Sequence, residues 1–535
     1  MTSVKTGNEP GDRVISLPAA HQRNNELPVI DVVPGQLPAT VDAGEAALLE
    51  AGAEVYQSGG RLVAIGHEEQ KNKHKGIQRP EAAPRLIPVT PVHLREQLTR
   101  SAIWQRYDAR AQDVRDIDCP MAVATALADR GRWKLRELTA YVEAPTVRED
   151  GTPLTAPGYD EQSGLYLLPG APQITLTEEP SYEDAVDASR TLWEAVSSWP
   201  YVGPGDHAAA VAMILTMLYA RSVDAVPMTC ITAPTPGTGK SLLIDASAIV
   251  ATGRRPAVMT LGKDTTEAAK RLASGLLAGD SPLAIDNVET PLGGDLLCQA
   301  VTQPYVSVRP LGSSVQIRAP ARVCLCATGN NLVIRGDLTR RVMLIQINAG
   351  MEHPEQRSFD GDILADLAVR RSELIAAAMT ITTAYHAAGC PDVNTTPVGG
   401  FLEWDRLVRR PLVWAGLSDP LTAAASVRDD DPDRAALIAL LEAMHQVYGD
   451  RVVTAAEIIN DATKSIPKYG SGGYDNEHPA LHDAVHQVCG KQVDARRLGY
   501  ALRRYRGRIV EDLQLDGISR YGPSKVSAWR VIACE

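Results

Sequence analysis

The chain lacks C-x-x-C cysteine pairs, long hydrophobic runs and an overall positive charge. Its eight cysteines are scattered over 535 residues without a C-x-x-C pair, so no zinc ribbon is indicated. No apolar run reaches the roughly 18 residues of a membrane-spanning helix, and none is therefore expected. Residues 1–25 hold no apolar signal-peptide core, which predicts a cytoplasmic protein without a membrane partner.

The charge balance limits where a nucleic-acid surface could lie. The formal net charge is −11, so any surface that attracts phosphate has to be local. Residues 491–535 provide such a region, with ten basic and five acidic residues. At 535 residues the chain exceeds one ordinary hydrophobic core, and we expect two to four domains.

The most informative stretch is A-P-T-P-G-T-G-K-S, residues 233–241. It follows the apolar run 228–231 and precedes the helical pattern 242–250. A Gly-rich turn between a strand and a helix directs several backbone N–H groups and the positive helix end at one spot, which suits a polyphosphate. The predicted ATP-binding residues are Pro236, Gly237, Thr238, Gly239, Lys240 and Ser241.

Two of these residues have specific expected roles. Lys240 is predicted to reach the β- and γ-phosphates, and the Ser241 hydroxyl to ligate Mg²⁺. The usual spacing is G-x-x-x-x-G-K-[ST], but Pro234 replaces its first glycine. The match is therefore to the Gly-Lys-Ser end, and the alternative is a flexible Gly/Pro loop.

A second apolar run, 282–285, ends in Asp286. An acid at the tip of a buried parallel strand is where ATPases with such a turn hold Mg²⁺, so Asp286 is predicted to share the metal with Ser241. Many such enzymes carry glutamate next, to orient the attacking water. Here Asn287 occupies that place and Glu289 lies two residues further on, so the water-orienting residue is left open between them and Asn330.

A third apolar run, 323–328, leads into Gly329-Asn330, where the asparagine can hydrogen-bond the γ-phosphate or the attacking water. Arg340 and Arg341 stand just before a further strand. A pair of arginines at that place is suited to act as an arginine finger on a neighbouring subunit's nucleotide. The alternative is a solvated charge cluster.

Five apolar segments are predicted to be strands, and helical patterns at 241–252 and 265–278 separate several of them. This alternation predicts an α/β fold with a five-stranded parallel sheet. The predicted strands are 228–233, 256–260, 282–286, 323–328 and 342–347.

At these motifs the chain resembles the AAA+ ATPases. More closely it is similar to superfamily 3-type replicative helicases of phages, plasmids and integrated elements, including the prophage and mobile-element primase/helicase-like family. The stretches that carry this resemblance are IDNVETPLGGDLLCQAVTQ, VRPLGSS, ATGNNL, GDLTRRV, EHPEQRSF, TAYHAAGCP and FLEWDRLVRRPLVWAGLSDP. It covers residues 190–430 well and implies ATP-driven translocation on DNA by a homo-oligomeric, hexameric ring, with a primase or polymerase in trans as a further partner.

The predicted organisation has four parts. Residues 1–27 form a disordered tail, and 28–180 an α+β domain. Residues 181–425 form the P-loop AAA+ ATPase core, whose helices after residue 350 are expected to be a lid. Residues 434–535 are predicted to resemble a winged helix, with the acidic stretch 428–433 as the linker before it.

Two regions are predicted to bind DNA. A β-hairpin over 305–318 would place Arg309 and Arg318 in the ring's pore, where they contact the phosphates of a single strand; the alternative is a surface hairpin with paired charges. The basic helix that begins near Asp494 would present Arg497, Arg503 and Arg504 to duplex DNA. The alternative for this helix is a protein-binding role.

Three functions are compatible with these patterns. The first is an ATP-dependent DNA helicase or helicase-loader of a mobile element, active in replication. The second is an ATP-switched DNA-binding initiator with little unwinding. It is favoured by Asn287, which stands where many such ATPases have glutamate. The third is a protein-remodelling AAA+ ATPase, against which the basic C-terminal segment and the hairpin argue.

Overall fold

The computed structural model describes residues 27–67, 76–261, 265–309, 316–357, 361–423, 431–467, 474–490, 492–521 and 526–534. The protein is a mixed α/β chain with a six-stranded, largely parallel sheet. The predicted tail lies outside the described residues except for Leu27, as do the tip of the predicted hairpin and most of the predicted linker. The chain divides into two compact units, 1–55 with 89–135, and 56–88 with 136–535.

The first unit is a small α+β body. Its core is formed by large side chains that are at most 2 % exposed, among them Leu48, Leu98 and Trp104. The helix that begins at Pro91 is capped by the Thr90 side chain, which accepts from the His93 N–H. The helices are Leu37–Glu50, Pro91–Ser101 and Met121–Asp129, and the strands are Val29–Asp31, Ile103–Asp108 and Asp113–Ile117.

The remainder of segment 28–180 belongs to the second unit, so the structure splits the stretch that was predicted as one domain. An apolar cluster that includes Tyr56, Val63, Leu86 and Tyr141 joins its short strands. Because these strands are two to seven residues long, they bury enough surface only by packing together. They are Tyr56–Ser58, Arg61–His67, Pro84–Pro88, Ala140–Val142, Thr146–Val147, Pro153–Leu154, Gly158–Tyr159 and Leu165–Leu167.

All five predicted parallel strands are present in the central sheet. Their order across the sheet is Val342–Gln346, Met228–Ala233, Leu325–Asn330, Leu283–Ile285 and Ala257–Met259. A sixth strand, Ile77–Gln78, pairs antiparallel with the last of these. The sheet is therefore six-stranded rather than five-stranded, because a segment from the N-terminal part of the chain covers its edge.

Helices cover this sheet, and a short hairpin extends from it. The helix Pro204–Tyr219 is buried on all sides, with residues 208–215 fully inaccessible, as expected of an apolar helix inside a large core. The other helices are Tyr182–Ala195, Lys240–Thr252, Thr265–Ala278 and Asp295–Thr302, with short 3₁₀ turns at Gly336–Arg340 and Pro354–Gln356. The hairpin pairs Tyr305–Val308 with Ile317–Pro320.

The helices that were expected to form a lid belong to the main core. Leu374 and Ile381, for example, are fully buried in the same cluster as the sheet. Arg371 donates to the carbonyl oxygens of Val250 and Ala251, which lie at the end of helix Lys240–Thr252 opposite Lys240. The lid role of these helices stays a prediction. They are Ile363–Val369, Arg371–Ala387, Leu402–Trp404 and Arg410–Trp414, with a π-helical turn Asp405–Arg409.

Residues 432–533 have a hydrophobic core of their own. A four-stranded antiparallel sheet in the order Val453–Thr454, Val526–Ala533, Leu513–Tyr521 and Ile509–Val510 packs against helices. The helices are Pro432–Tyr448, Ala455–Ala462, Pro479–Cys489 and Ala495–Tyr505, and a separate pair of strands joins Ser465–Pro467 to Tyr474–Asn476. The described helices include none that is long and apolar enough to cross a membrane.

Candidate active site

The turn between strand Met228–Ala233 and helix Lys240–Thr252 requires two glycines. Gly237 and Gly239 have φ angles of +74° and +91°, a region that side-chain-bearing residues rarely adopt. The Trp199 indole N–H donates to the Gly239 carbonyl oxygen at 2.9 Å. Trp199 therefore fixes the end of the turn, a role that the sequence pattern did not predict.

Lys240 begins the helix and its ammonium group is held by neutral oxygens. It donates to Asn330 Oδ1 at 2.7 Å, to the Thr235 carbonyl oxygen at 3.2 Å and to Thr238 Oγ1 at 3.3 Å. Burial lowers the pKa of Lys240, and the nearby charge of Asp286 opposes that shift. An anionic ligand in the turn would replace these neutral partners with a stronger, charge-assisted one.

Asp286 and Ser241 come together at the tips of neighbouring elements. The Ser241 hydroxyl donates to Asp286 Oδ1 at 2.9 Å, and the buried Thr328 hydroxyl donates to the same oxygen at 2.6 Å. Thr328 also accepts the Asn287 N–H at 3.1 Å. Thr328 was not predicted, although its position at the end of an apolar run, two residues before Asn330, is a signal that could have indicated it.

These oxygens fit a magnesium ion better than a transition metal. A cavity of about 440 Å³ is lined in part by Ser241 and Asp286. The described residues contain no group of three or more His, Cys, Asp or Glu side chains that could hold a metal ion. Mg²⁺ commonly binds through one or two protein oxygens together with water and substrate phosphate, and a hydroxyl beside one carboxylate meets that requirement.

The three candidates for orienting water fall into two groups. Asn287 has a left-handed backbone, φ +52°, and its side-chain Nδ2 donates to Glu289 Oε1 at 3.2 Å. Asn330 instead accepts from Lys240. The structure thus brings Asn287 and Glu289 together at the surface and places Asn330 on the lysine, and their catalytic roles stay predictions.

A carboxylate that was not predicted lies against the turn. A side chain built on Gly237 would come within 3.0 Å of Glu355 Oε2 and 3.2 Å of the Glu355 backbone nitrogen. Glu355 also contacts His353 Nδ1 through its other oxygen, at 3.2 Å. Together with the positive φ angle, this close packing favours glycine at position 237.

The two arginines proposed as a finger are in different environments. Arg341 donates to the Cys298 carbonyl oxygen at 2.6 Å and to Thr302 Oγ1 at 3.2 Å, so it anchors its turn to a neighbouring helix. Arg340 has a side chain that is 64 % exposed and pairs with Asp337. Of the two, Arg340 has the more exposed side chain, since Arg341 is 18 % exposed and also pairs with Asp337.

No protein-family model matches this chain. No curated protein matches it either. Among solved structures it is similar to one described as "The A form apo structure of NrS-1 C terminal region-CTR", at 12% identity and a TM-score of 0.33 over 92% of this chain and 98% of that one. It is likewise similar to "The apo structure of NrS-1 C terminal region (305-718)", at 11% identity and a TM-score of 0.34, with the same coverage. Because a likeness at this TM-score carries no functional information, the function is inferred from the site geometry.

The predicted DNA contacts of the hairpin lie on both of its strands. Arg318 stacks over the Tyr305 ring at 4.2 Å from the ring centre, and Arg309 is exposed where the first strand ends. The hairpin therefore carries one aromatic side chain beside its cations. The residues that would form its tip, 310–315, lie outside the described part of the chain.

The helix Ala495–Tyr505 presents its arginines to solvent. Leu498 and Leu502 are fully buried, and Arg497, Arg503 and Arg504 are exposed. One of the three is engaged, because Arg504 lies 3.3 Å from Asp433 Oδ2.

The start of the C-terminal segment contacts the turn that carries Arg340. Asp431 caps helix Pro432–Tyr448 through the Asp433 N–H, and the same carboxylate lies 3.3–3.4 Å from the Gly336 N–H. The predicted linker therefore ends in a hydrogen-bonded helix start rather than in free chain.

Proposed function

We propose that this chain is an ATP-dependent DNA helicase or helicase-loader of a phage, plasmid or integrated element. The observation that carries the proposal is the convergence of Lys240, Ser241, Asp286 and Asn330 at the carboxyl ends of three adjacent parallel strands. Ligands of open α/β sheets bind in the crevice at those ends. A lysine, a hydroxyl, a carboxylate and an amide are the groups that phosphoryl transfer to water uses.

Each group has a part in ATP hydrolysis. The backbone amides of the turn and Lys240 bind the phosphates, and Lys240 exchanges its contact with Asn330 for the γ-phosphate. Ser241 and Asp286 would hold Mg²⁺, which neutralises charge that develops on the phosphates. Thr328 fixes the orientation of Asp286, and Asn330, once released from Lys240, can bind the attacking water.

DNA binding rests on local positive charge in a chain that is acidic overall. The hairpin cations Arg309 and Arg318, and the exposed arginines of the C-terminal helix, offer sites for phosphate. Arg340, exposed at the surface, is proposed to complete the nucleotide site of a neighbouring copy in a ring. Such a finger contributes about 10³–10⁵ in rate where it has been measured.

The second candidate is an initiator that uses ATP as a switch and unwinds little. Asn287 favours it, because the position after Asp286 carries an amide that contacts Glu289 rather than a carboxylate free to polarise water. The two candidates differ in what they do to a duplex, not in whether they bind ATP and DNA.

The test combines two measurements on the full-length protein. ATP turnover is measured with and without single-stranded DNA, and strand displacement is followed on a forked duplex with a fluorophore–quencher pair. We expect DNA-stimulated turnover and displacement, both lost in Lys240→Ala. Stimulated turnover without displacement would favour the initiator, and turnover that DNA does not change would exclude both DNA-dependent functions.

A further inference from the structure

A groove of about 680 Å³ lies in the C-terminal segment beside the helix Ala495–Tyr505. Arg496, Tyr500 and Arg503 line it from this helix, and Tyr521 lines it from the neighbouring hairpin. Its volume is within the range of about 300–1,000 Å³ that small-ligand clefts occupy. None of these four residues belongs to the nucleotide site.

The helix periodicity explains why these residues face the groove. Leu498, Leu502 and Tyr505 are buried in the core. Residues 496, 500 and 503 are spaced by four and three positions and therefore share the opposite face. Two large aromatic side chains remain open to solvent in one groove, since Tyr500 is 57 % exposed and Tyr521 is 40 % exposed. Packing within the domain accounts for neither of these exposed rings.

The charge of the groove is positive. The guanidinium carbons of Arg496, which precedes Tyr500 in the chain, and of Arg503, which follows it, each lie 5.8 Å from the centre of the Tyr500 ring. The carboxylate that lines the groove, Glu457, accepts from the N–H and the hydroxyl of Thr454 at 2.7 and 2.8 Å. It caps its own helix and contributes one negative charge to the groove, against the two positive charges of Arg496 and Arg503.

We propose that this groove binds single-stranded DNA, with a base stacked on Tyr500 beside Tyr521 and the flanking phosphates on Arg496 and Arg503. Aromatic rings between cations are the arrangement with which proteins hold unpaired strands, because every base has a face that can stack. A duplex offers phosphates but no free base face, so it would leave the tyrosines unused. The proposal rests on the proposed DNA-dependent function and names the form of DNA that the C-terminal segment takes.

The test measures binding of fluorescein-labelled oligo(dT) and of a labelled hairpin duplex to the full-length protein by anisotropy. Tyr500→Ala should weaken oligo(dT) binding about 5- to 150-fold, the value of one stacked base, and affect the duplex much less. Tyr500→Phe keeps the ring and should bind oligo(dT) as the wild type does. Equal losses for both probes, or no loss for oligo(dT), would overturn the proposal.

Salt dependence provides a second readout with a matched control on the same helix. Arg496→Ala and Arg503→Ala should each lower the log–log salt slope of oligo(dT) binding by about 0.7. Arg497→Ala with Arg504→Ala, which lie outside the groove and are proposed to meet duplex DNA, should lower the slope for the hairpin duplex and change the oligo(dT) slope less than the groove pair does. If only Arg497 and Arg504 change the oligo(dT) slope, the strand is held on the other face and the groove is not the site.

These results separate the groove from the proposed function. A protein without ATP turnover that still binds oligo(dT) through Tyr500 would support the groove and refute the helicase. If Tyr500→Ala keeps both DNA-stimulated turnover and wild-type oligo(dT) affinity, the groove is refuted and the DNA-dependent function is supported.

Discussion

Replacing Thr328 by valine removes one buried hydroxyl that makes two hydrogen bonds at the candidate site. Thr328 is only 2 % exposed. Its hydroxyl donates to Asp286 Oδ1 at 2.6 Å and accepts the Asn287 N–H at 3.1 Å. Valine keeps the branched shape, so the substitution tests the hydrogen bonds with little change in packing.

The expected cost follows from the two bonds. A hydrogen bond to a charged group contributes about 1.5–3 kcal/mol, and an amide left without a partner costs about 1–3 kcal/mol. Because Asp286 is half-buried and Asn287 is exposed, water can replace part of each lost hydrogen bond. We therefore expect the free energy of unfolding to fall by about 2–3 kcal/mol. Asp286 then keeps Ser241 as its hydroxyl donor, so the Mg²⁺ concentration for half-maximal ATP turnover should rise.

Urea unfolding and the Mg²⁺ dependence of turnover are measured for wild type, Thr328→Val and Thr328→Ser. The serine variant keeps the hydroxyl and loses the methyl group, so it separates hydrogen bonding from packing. We expect it to resemble the wild type in its Mg²⁺ requirement. If both variants unfold at the same urea concentration and need the same Mg²⁺, the hydroxyl has no part in positioning Asp286.

Further predictions concern other parts of the molecule. Lys240→Ala should abolish ATP turnover with an unchanged circular dichroism spectrum, and turnover near the wild-type rate would refute the phosphate-binding assignment. Arg340→Ala should lose turnover alone and regain part of it in mixed assemblies with Lys240→Ala; confirmed mixing without any recovery would exclude action between subunits. Arg409 is buried against two carboxylates, so Arg409→Met should lower the free energy of unfolding by about 3–5 kcal/mol. Arg340 is exposed, and in the same urea titration Arg340→Met should change the free energy of unfolding by no more than about 0.5 kcal/mol. A hydrogen bond from Arg148 lowers the pKa of Asp160 to about 2, below its unfolded value of about 3.9. Its stabilisation is therefore present above that pH, so the stability gap between wild type and Asp160→Asn should shrink as pH falls from about 4 towards 2; a gap independent of pH would contradict it.

The sequence predicted the central strands well, because a strand buried on both faces is a run of apolar residues that ends abruptly. The run before Asp286 and the run before Asn330 show this pattern, and both strands lie where they were expected. The helix Thr265–Ala278 has the predicted bounds for a related reason, since its apolar residues recur at helical spacing. Local pattern and tertiary environment agree in these segments.

Other features depend on partners that are distant in sequence. The edge strand Ile77–Gln78 has two residues and no pattern of its own, and it exists because the strand Ala257–Met259 offers an unpaired edge. Trp199 and Glu355 contact the Gly-rich turn only through the fold.

The arginines after residue 400 show the same limit. Arg409 is buried against Asp405 and Asp419, and Arg406 donates to the Glu149 carbonyl oxygen. A basic residue near a helix end has the same appearance in sequence whether it binds a ligand or a neighbouring acid.

The contacts at the start of the C-terminal segment would give the proposed DNA binding an energetic cost. Arg504 cannot bind a phosphate fully while it holds Asp433, and Asp431, two residues earlier, holds the Gly336 N–H of the turn that ends at Arg340. Binding that draws Arg504 away therefore weakens the cap region next to that turn. In the proposed ring such coupling would be reciprocal, so nucleotide binding by a neighbouring copy and DNA binding by this helix would change each other's affinity by the same factor.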